Sequence, residues 1–195
     1  MLSMDLQAID EGASFALHGL HRDGLNQAMK YLTFLGDEKV VYPVAAVGIL
    51  VLMLRQKIAL AFALIILCLA TWQIGERVKH LVHRKRPDLP NPVVRVPNSP
   101  SFPSSHALRP AAIYMGLALI AARRLQRPWK AYLLVGGVFL VVILIGFTRL
   151  YLCVHWLSDV LAGWSVGLSL AFLIRCLDEN WYPSAAANLL NNPRV

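Results

Sequence analysis

Charge is scarce in this 195-residue chain: Asp, Glu, Lys and Arg make up 15% of it, against 57% hydrophobic residues. A soluble domain carries about a quarter charged residues, so the composition points to a membrane protein. Acid is the scarcer sign, with eleven carboxylates against nineteen Lys and Arg and a net charge of +8. Nucleic acid is not the expected partner, because the basic residues are scattered between apolar stretches rather than gathered on one polar face. Anionic headgroups or a phosphate-bearing substrate suit that distribution better. Cysteine is also rare: Cys68, Cys153 and Cys176 lie far apart in apolar segments. An odd, dispersed set excludes a disulfide framework and reads as buried thiols. The pairs His18/His21 and His80/His83 lack a neighbouring carboxylate or thiol, so metal ligation is not expected of them. No basic segment followed by an apolar run opens the chain, so no cleavable signal is expected either.

What the chain has in quantity is apolar runs. Residues 1–38 precede them, and Leu25, Met29 and Leu32 stand at helical spacing there, interrupted by Gly12, Gly19 and Gly24. This pattern predicts one or two amphipathic helices lying at the membrane interface. Apolar spans follow at 40–54 and 58–75, the second ending where Glu76, Arg77 and Lys79 begin. Pro87, Pro90, Pro92, Pro97, Pro100 and Pro103 then make 87–103 an extended, non-helical loop. A third span covers 107–122. The stretch 131–177 would run about 70 Å as one helix, roughly twice the hydrocarbon core, so it must break. Polar residues appear at Gly146 to His155, which places a short turn near Arg149. The fold class expected is all-α, a polytopic helical membrane protein of about five spans, because lipid permits no open alternative. Residues 178–195 read as a C-terminal tail of a single membrane-embedded domain.

Alternating spans bring Lys79, Arg86, His106, Arg149 and His155 to one side of the membrane. The other side holds Arg55, Lys57, Arg123, Arg124, Arg127, Lys130 and Arg175, which the positive-inside rule makes cytoplasmic. Cations at the edge of lipid-length helices are costly unless they face a cavity or the interface, so the first group marks a site. His155 and Asp159, four residues apart, share one helix face; a carboxylate on one ring nitrogen leaves the other as an oriented nucleophile. Ser104 and Ser105 precede an apolar run, as an N-cap does, and the free N–H groups of such a first turn bind anions. His106, placed there, suits a general acid that protonates a departing alkoxide. Lys79, Arg86 and Arg149 supply the fixed positive charge that phosphoryl transfer requires. Arg109, one turn after His106, is expected to reach a second phosphate or a headgroup and so to favour a diphosphate.

The ordered series Lys79-x6-Arg86-Pro87, Pro103-Ser104-Ser105-His106 and Arg149-x5-His155-x3-Asp159 resembles the type 2 phosphatidic acid phosphatase superfamily, whose signature is K-x6-R-P, P-S-G-H and S-R-x5-H-x3-D. Ser105 stands where that family has glycine, and Thr148 where it has serine. The resemblance implies a phosphohistidine on His155, orientation by Asp159, acid catalysis by His106, and phosphate held by Lys79, Arg86, Ser104, Arg149 and a backbone N–H near Ser105. It implies no metal and no cofactor. The substrate expected is a lipid phosphate or diphosphate of the undecaprenyl diphosphate, phosphatidylglycerol phosphate or phosphatidic acid type. Its partners are then that substrate and membrane lipids, with no protein partner inferred. The place expected is a bacterial inner membrane with the site on the extracytoplasmic side. A lipid phosphotransferase using the same site, or a lipid-phosphate-binding protein without turnover, stands as the alternative.

Overall fold

The structure is a computed structural model that describes residues 4–90 and 92–177, so the 178–195 tail lies outside the described residues. Among the described residues it is all-helical: α1 (Met4–His18), α2 (Asp23–Phe34), α3 (Glu38–Leu54), α4 (Ile58–Val82), α5 (Ser105–Ala122), α6 (Pro128–Tyr151) and α7 (Leu157–Leu177). Helices α4, α6 and α7 are each long and apolar enough to cross a bilayer. Their outward faces carry large apolar side chains such as Phe62, Ile66, Leu69, Leu133, Leu140 and Phe172, as a lipid-facing surface does. Helix α3 is shorter at 17 residues. Helix α5 is the central one, packed by α3, α4, α6 and α7. Because protein rather than lipid surrounds α5, it tolerates Arg109 and the alanines along its length.

Close approach of α5 and α7 sets the frame. A Cβ added at Gly167 would stand 2.5 Å from the Leu108 carbonyl oxygen and 2.6 Å from Ala111 Cβ. One added at Gly163 would meet the Ser104 carbonyl at 2.8 Å and Ala107 Cβ at 2.9 Å. Small residues four apart on both helices let the backbones touch, which is how helices associate where no hydrophobic drive separates them from lipid. This seam fixes the start of α5 beside the start of α7, and Ser104 N–H donates to the Asp159 carbonyl across it at 3.1 Å.

Of the one or two N-terminal helices expected, two are present, α1 and α2. Helix α1 buries Asp10 and Ser14 against the body, while Met4, Ile9 and Phe15 point outward. Two boundaries differ from the sequence reading. Helix α4 runs on through Glu76, Arg77 and Lys79 to Val82 and stops at His83, whose φ of 49° is left-handed. Charged residues do not end a helix; a left-handed residue does. Likewise the break in the long apolar stretch falls after Tyr151, not at Arg149, with Cys153 at φ 53° inside the turn. Arg149 therefore projects from the last turn of α6.

Candidate active site

A cavity of about 290 Å³ opens where the ends of α4, α5 and α6 meet the proline-rich loop and the α6–α7 turn. Lys79, Arg86, Ser105, His106, Arg109, Arg149 and His155 line it, together with Asp37, Glu38 and Glu76. Ser104 does not line it: that side chain is buried, and its carbonyl receives the amides of Ala107 and Leu108 at 3.1 and 2.9 Å. Ser104 thus acts as the backbone N-cap of α5, with no side-chain cap bond. Ser105 and His106, in the first turn of α5, line the cavity, and the amides of such a turn have no partner within the helix and can receive an anion.

His155 sits in the turn before α7, with 3% of its surface exposed. Its Nδ1 lies 3.4 Å from Asp159 Oδ2, and Arg86 Nη1 donates to its Nε2 at 3.0 Å. A guanidinium only donates, so Nε2 carries the lone pair and Nδ1 carries the proton. Burial, with the charges of Arg149 and Arg86, pulls this imidazole down to about 4, against the hydrogen bond to Asp159 that works to raise it. It is neutral at pH 7.

Arg86 is clamped by the backbone. Nη1 also donates to Val154 O at 2.7 Å, Nε to Ser99 O at 2.8 Å, and Nη2 to Ser99 Oγ and Pro100 O. Burial lowers its pKa, partly offset by Asp159. Other cations are less occupied. Arg149 Nη1 donates to Thr33 Oγ1 at 2.9 Å, while its buried Nε has no protein partner. Arg109 Nη1 pairs with Glu38 Oε2 at 3.1 Å, and its Nε is likewise unpartnered. Lys79 Nζ lies 3.2 Å from the half-exposed Glu76. Ser105 Oγ is buried without a partner and sits over Gly75 of α4, where there is room for the hydroxyl. Such buried orphan donors are rare in folded proteins, and Ser105, Arg109 and Arg149, which carry these, all line the one cavity.

Behind Asp159 stands a cluster that the sequence reading missed. Arg84 Nη1 donates to Asp159 Oδ1 at 2.7 Å and to Ser158 Oγ at 2.6 Å, and Nη2 to Asp10 Oδ2 at 2.6 Å. Asp10 in turn accepts the Ser158 amide at 2.9 Å and the Ser158 hydroxyl at 2.6 Å. Asp159 Oδ2 accepts the Trp156 amide at 2.9 Å. Helix α7 is therefore capped twice, by its own third residue reaching back and by Asp10 from α1. The hydrogen bonds from Ser158 and Arg84 hold Asp10 below the usual carboxylate range, although burial alone would raise it. The first histidine pair is otherwise engaged: His18 Nε2 donates to Pro90 O at 2.9 Å and His21 Nε2 to Tyr151 O at 2.7 Å. Among the described residues no three His, Cys, Asp or Glu side chains group as a metal site.

A model of the PAP2 superfamily matches residues 57–182, well over half of the chain and the whole stretch from Lys79 to Asp159. The chain belongs to the PAP2 superfamily. Among its PAP2 relatives, phosphatidylglycerophosphatase B of Bacillus subtilis is 32% identical over 179 residues, covering 89% of this chain and 85% of that protein. An undecaprenyl-diphosphatase of Sulfolobus acidocaldarius is 31% identical over 153 residues, covering 76% of this chain and 68% of that one. The fold superposes with a TM-score of 0.83 and 27% identity on the crystal structure of a transmembrane PAP2-type phosphatidylglycerolphosphate phosphatase from Bacillus subtilis, over 93% of this chain and 90% of that one. Within this PAP2 chain, the site residues expected from sequence meet at one cavity, except for the Ser104 side chain and Asp159, which stands behind His155.

Proposed function

We propose that the protein is an integral membrane phosphatase that removes a phosphoryl group from a lipid phosphate or diphosphate through a phosphohistidine on His155, without a metal. The observation that carries this reading is how His155 is held: Arg86 Nη1 meets Nε2 at the cation-lined cavity while Asp159 faces Nδ1, an arrangement that leaves the lone pair on Nε2. In this mechanism Nε2 attacks phosphorus as the bond from phosphorus to the lipid oxygen breaks. His106 gives its proton to the departing oxygen, then takes one from the water that attacks phosphorus; the N–P bond breaks, phosphate leaves, and His155 is regenerated. Arg149, Lys79, Ser105 and the α5 amides bear the charge on the equatorial oxygens. As the N–P bond forms, the Arg86 N–H that now meets Nε2 turns its hydrogen bond to a phosphoryl oxygen and keeps its proton. Asp159 fixes the tautomer and supports the imidazolium-like charge that develops.

Two features support a diphosphate over a monophosphate. The cavity holds the volume of roughly ten waters, more than one phosphoryl group fills. Arg109 lines it beside Arg149, with an unpartnered donor. The substrates that the relatives' names carry, phosphatidylglycerophosphate and undecaprenyl diphosphate, are the two to compare first. The cations Arg55, Lys57, Arg123, Arg124, Arg127, Lys130 and Arg175, at the other ends of the helices, support placing the cavity on the extracytoplasmic face of a bacterial inner membrane.

Phosphate release by the detergent-solubilised protein tests the reading, with undecaprenyl diphosphate, phosphatidylglycerol phosphate and phosphatidic acid as substrates and EDTA present. A brief pulse of 32P-labelled substrate should leave an acid-labile, base-stable label on the wild type and none on His155→Ala. Turnover retained by His155→Ala, or abolished by EDTA, overturns it.

A further inference from the structure

The buried cluster behind Asp159 is built more carefully than a helix anchor needs. Two carboxylates, Asp10 and Asp159, share one guanidinium between them, and neither carboxylate has any exposed surface. The planar fork of Arg84 spans the pair, one nitrogen to each carboxylate, which a lysine point charge does not reproduce. Trp156 packs against the guanidinium at 5.5 Å from its ring centroid, and the Trp156 indole N–H donates to Lys85 O at 2.8 Å. Asp159 divides its oxygens: Oδ1 receives Arg84, and Oδ2 receives the Trp156 amide and faces His155 Nδ1.

We propose that Arg84, held from behind by Asp10, is a positioning residue that sets how much negative charge Asp159 presents to His155. Helix α1 is thereby part of the nucleophile's support and not only an interfacial appendage. The proposal rests on the reading of His155 as nucleophile. A bare Asp159 charge at Nδ1 favours the imidazolium, which has no lone pair to attack with. Arg84 draws part of that charge away through Oδ1. Asp10 limits the draw, because it competes for the same guanidinium and neutralises part of it. The two residues therefore push His155 in opposite directions: loss of Arg84 favours the protonated ring, and loss of the Asp10 charge disfavours it.

The remaining charges around His155 are constant in this comparison. In front stand Arg86 from the loop, Arg149 from α6, His106 from α5 and Lys79 from α4. Farther around the cavity are Glu76 on α4, Arg109 on α5, and Asp37, Glu38 and Lys39 at the start of α3. Behind His155, among the described residues, Arg84, Asp10 and Asp159 form the relay.

The test is the pH dependence of kcat/KM in detergent micelles, with dioctanoyl phosphatidic acid as the probe, for wild type, Arg84→Gln, Arg84→Lys, Asp10→Asn and His155→Ala. The ionisation of the substrate is common to all of them, so differences between acid limbs report the enzyme. Arg84→Gln should move the acid limb up by about one pH unit, the size expected for one charge a few ångströms from Asp159 in a protein interior. Asp10→Asn should move it down by a smaller step. Arg84→Lys should restore the limb towards wild type while kcat stays low, because the fork is lost. Coincident limbs, or limbs that shift in the same direction, overturn the proposal, since a bracing role alone lowers stability and rate without opposite shifts. Should Arg84→Gln not fold, Asp10→Asn decides: an unmoved limb overturns the proposal and a downward one supports it. Turnover in His155→Ala would instead overturn the nucleophile reading on which the proposal stands.

Discussion

Two polar clusters flank His155, and they are built on opposite rules. Behind it, Arg84, Asp10, Ser158 and Asp159 satisfy one another within 2.9 Å. In front, Arg149, Arg109 and Ser105 keep buried donors with no protein partner, and the counter-charges Glu38 and Glu76 stand towards solvent. A saturated buried network rigidifies, because any change leaves an uncompensated charge. An unsaturated one is costly to fold and is retained where an incoming group completes it. The rear cluster therefore positions, and the front cluster binds. Variants that collapse this distinction should be the most damaging.

The largest effect is expected where both clusters are lost together. Gly167→Leu forces a side chain against the Leu108 carbonyl and Ala111 and drives α7 off α5. Overpacking at a backbone contact costs about 3 kcal/mol or more, so thermal unfolding in detergent should find little folded protein. Next comes His155→Ala, which leaves the fold and both clusters but removes the nucleophile. Phosphate release should fall by about four orders of magnitude or more with the melting temperature little changed. Arg149→Ala strips one cation from the front cluster. Its kcat/KM should drop by about 10²–10³ with stability near wild type, and the acid limb should move up, because the Arg149 charge helps hold the His155 imidazole down. A loss confined to stability would place Arg149 with the rear cluster instead.

The front cluster was largely legible in the sequence and the rear one was not. Lys79, Arg86, His106, Arg149 and His155 announce themselves as charges at the edges of apolar segments, where each is costly without a site. Asp10 carries no such signal. It is one of several carboxylates in a segment whose polarity suits an interface, and nothing local says that its side of α1 faces inward while Ile9 and Phe15 face out. Arg84 is one basic residue among His83, Lys85 and Arg86, and its partners lie about 75 residues away in both directions. The seam of Gly163 and Gly167 on Ala107 and Ala111 was present as spacing, but spacing alone does not name the partner helix. The Leu35–Asp37 turn over the cavity was hidden for another reason. Gly36 reaches His106 and Ile145 only because α2 packs on α6, a tertiary fact with no local pattern.

The rear cluster also predicts an acid sensitivity. Asp10 is held below the usual carboxylate range, so its folded-state pKa lies under the unfolded value near 3.8. Its contribution is complete above that unfolded value and is lost as pH falls through the folded one. Thermal midpoints of the wild type should therefore decline as pH falls below about 4. Asp10→Asn should start lower and show a flatter decline over the same window. A parallel decline in the two proteins would mean that Asp10 does not titrate with folding.

The smallest effect sharpens the front cluster rather than breaking it. Glu38 holds Arg109 at 3.1 Å, yet its side chain is 57% exposed, so the pair is of the weak, screened kind. If Arg109 serves a second phosphoryl group, Glu38 competes with the substrate for it. Glu38→Gln should then raise kcat/KM for undecaprenyl diphosphate over undecaprenyl phosphate by about two- to fivefold, within the range a surface pair contributes. Arg109→Ala should reverse the preference, and the double variant should behave like Arg109→Ala, because Glu38 acts only through the guanidinium. Added salt should shrink the Glu38→Gln effect by screening the competition it removes. An unchanged substrate ratio in both single variants would return Arg109 to a structural role, packed on Tyr42 at 5.6 Å and tying α5 to the start of α3.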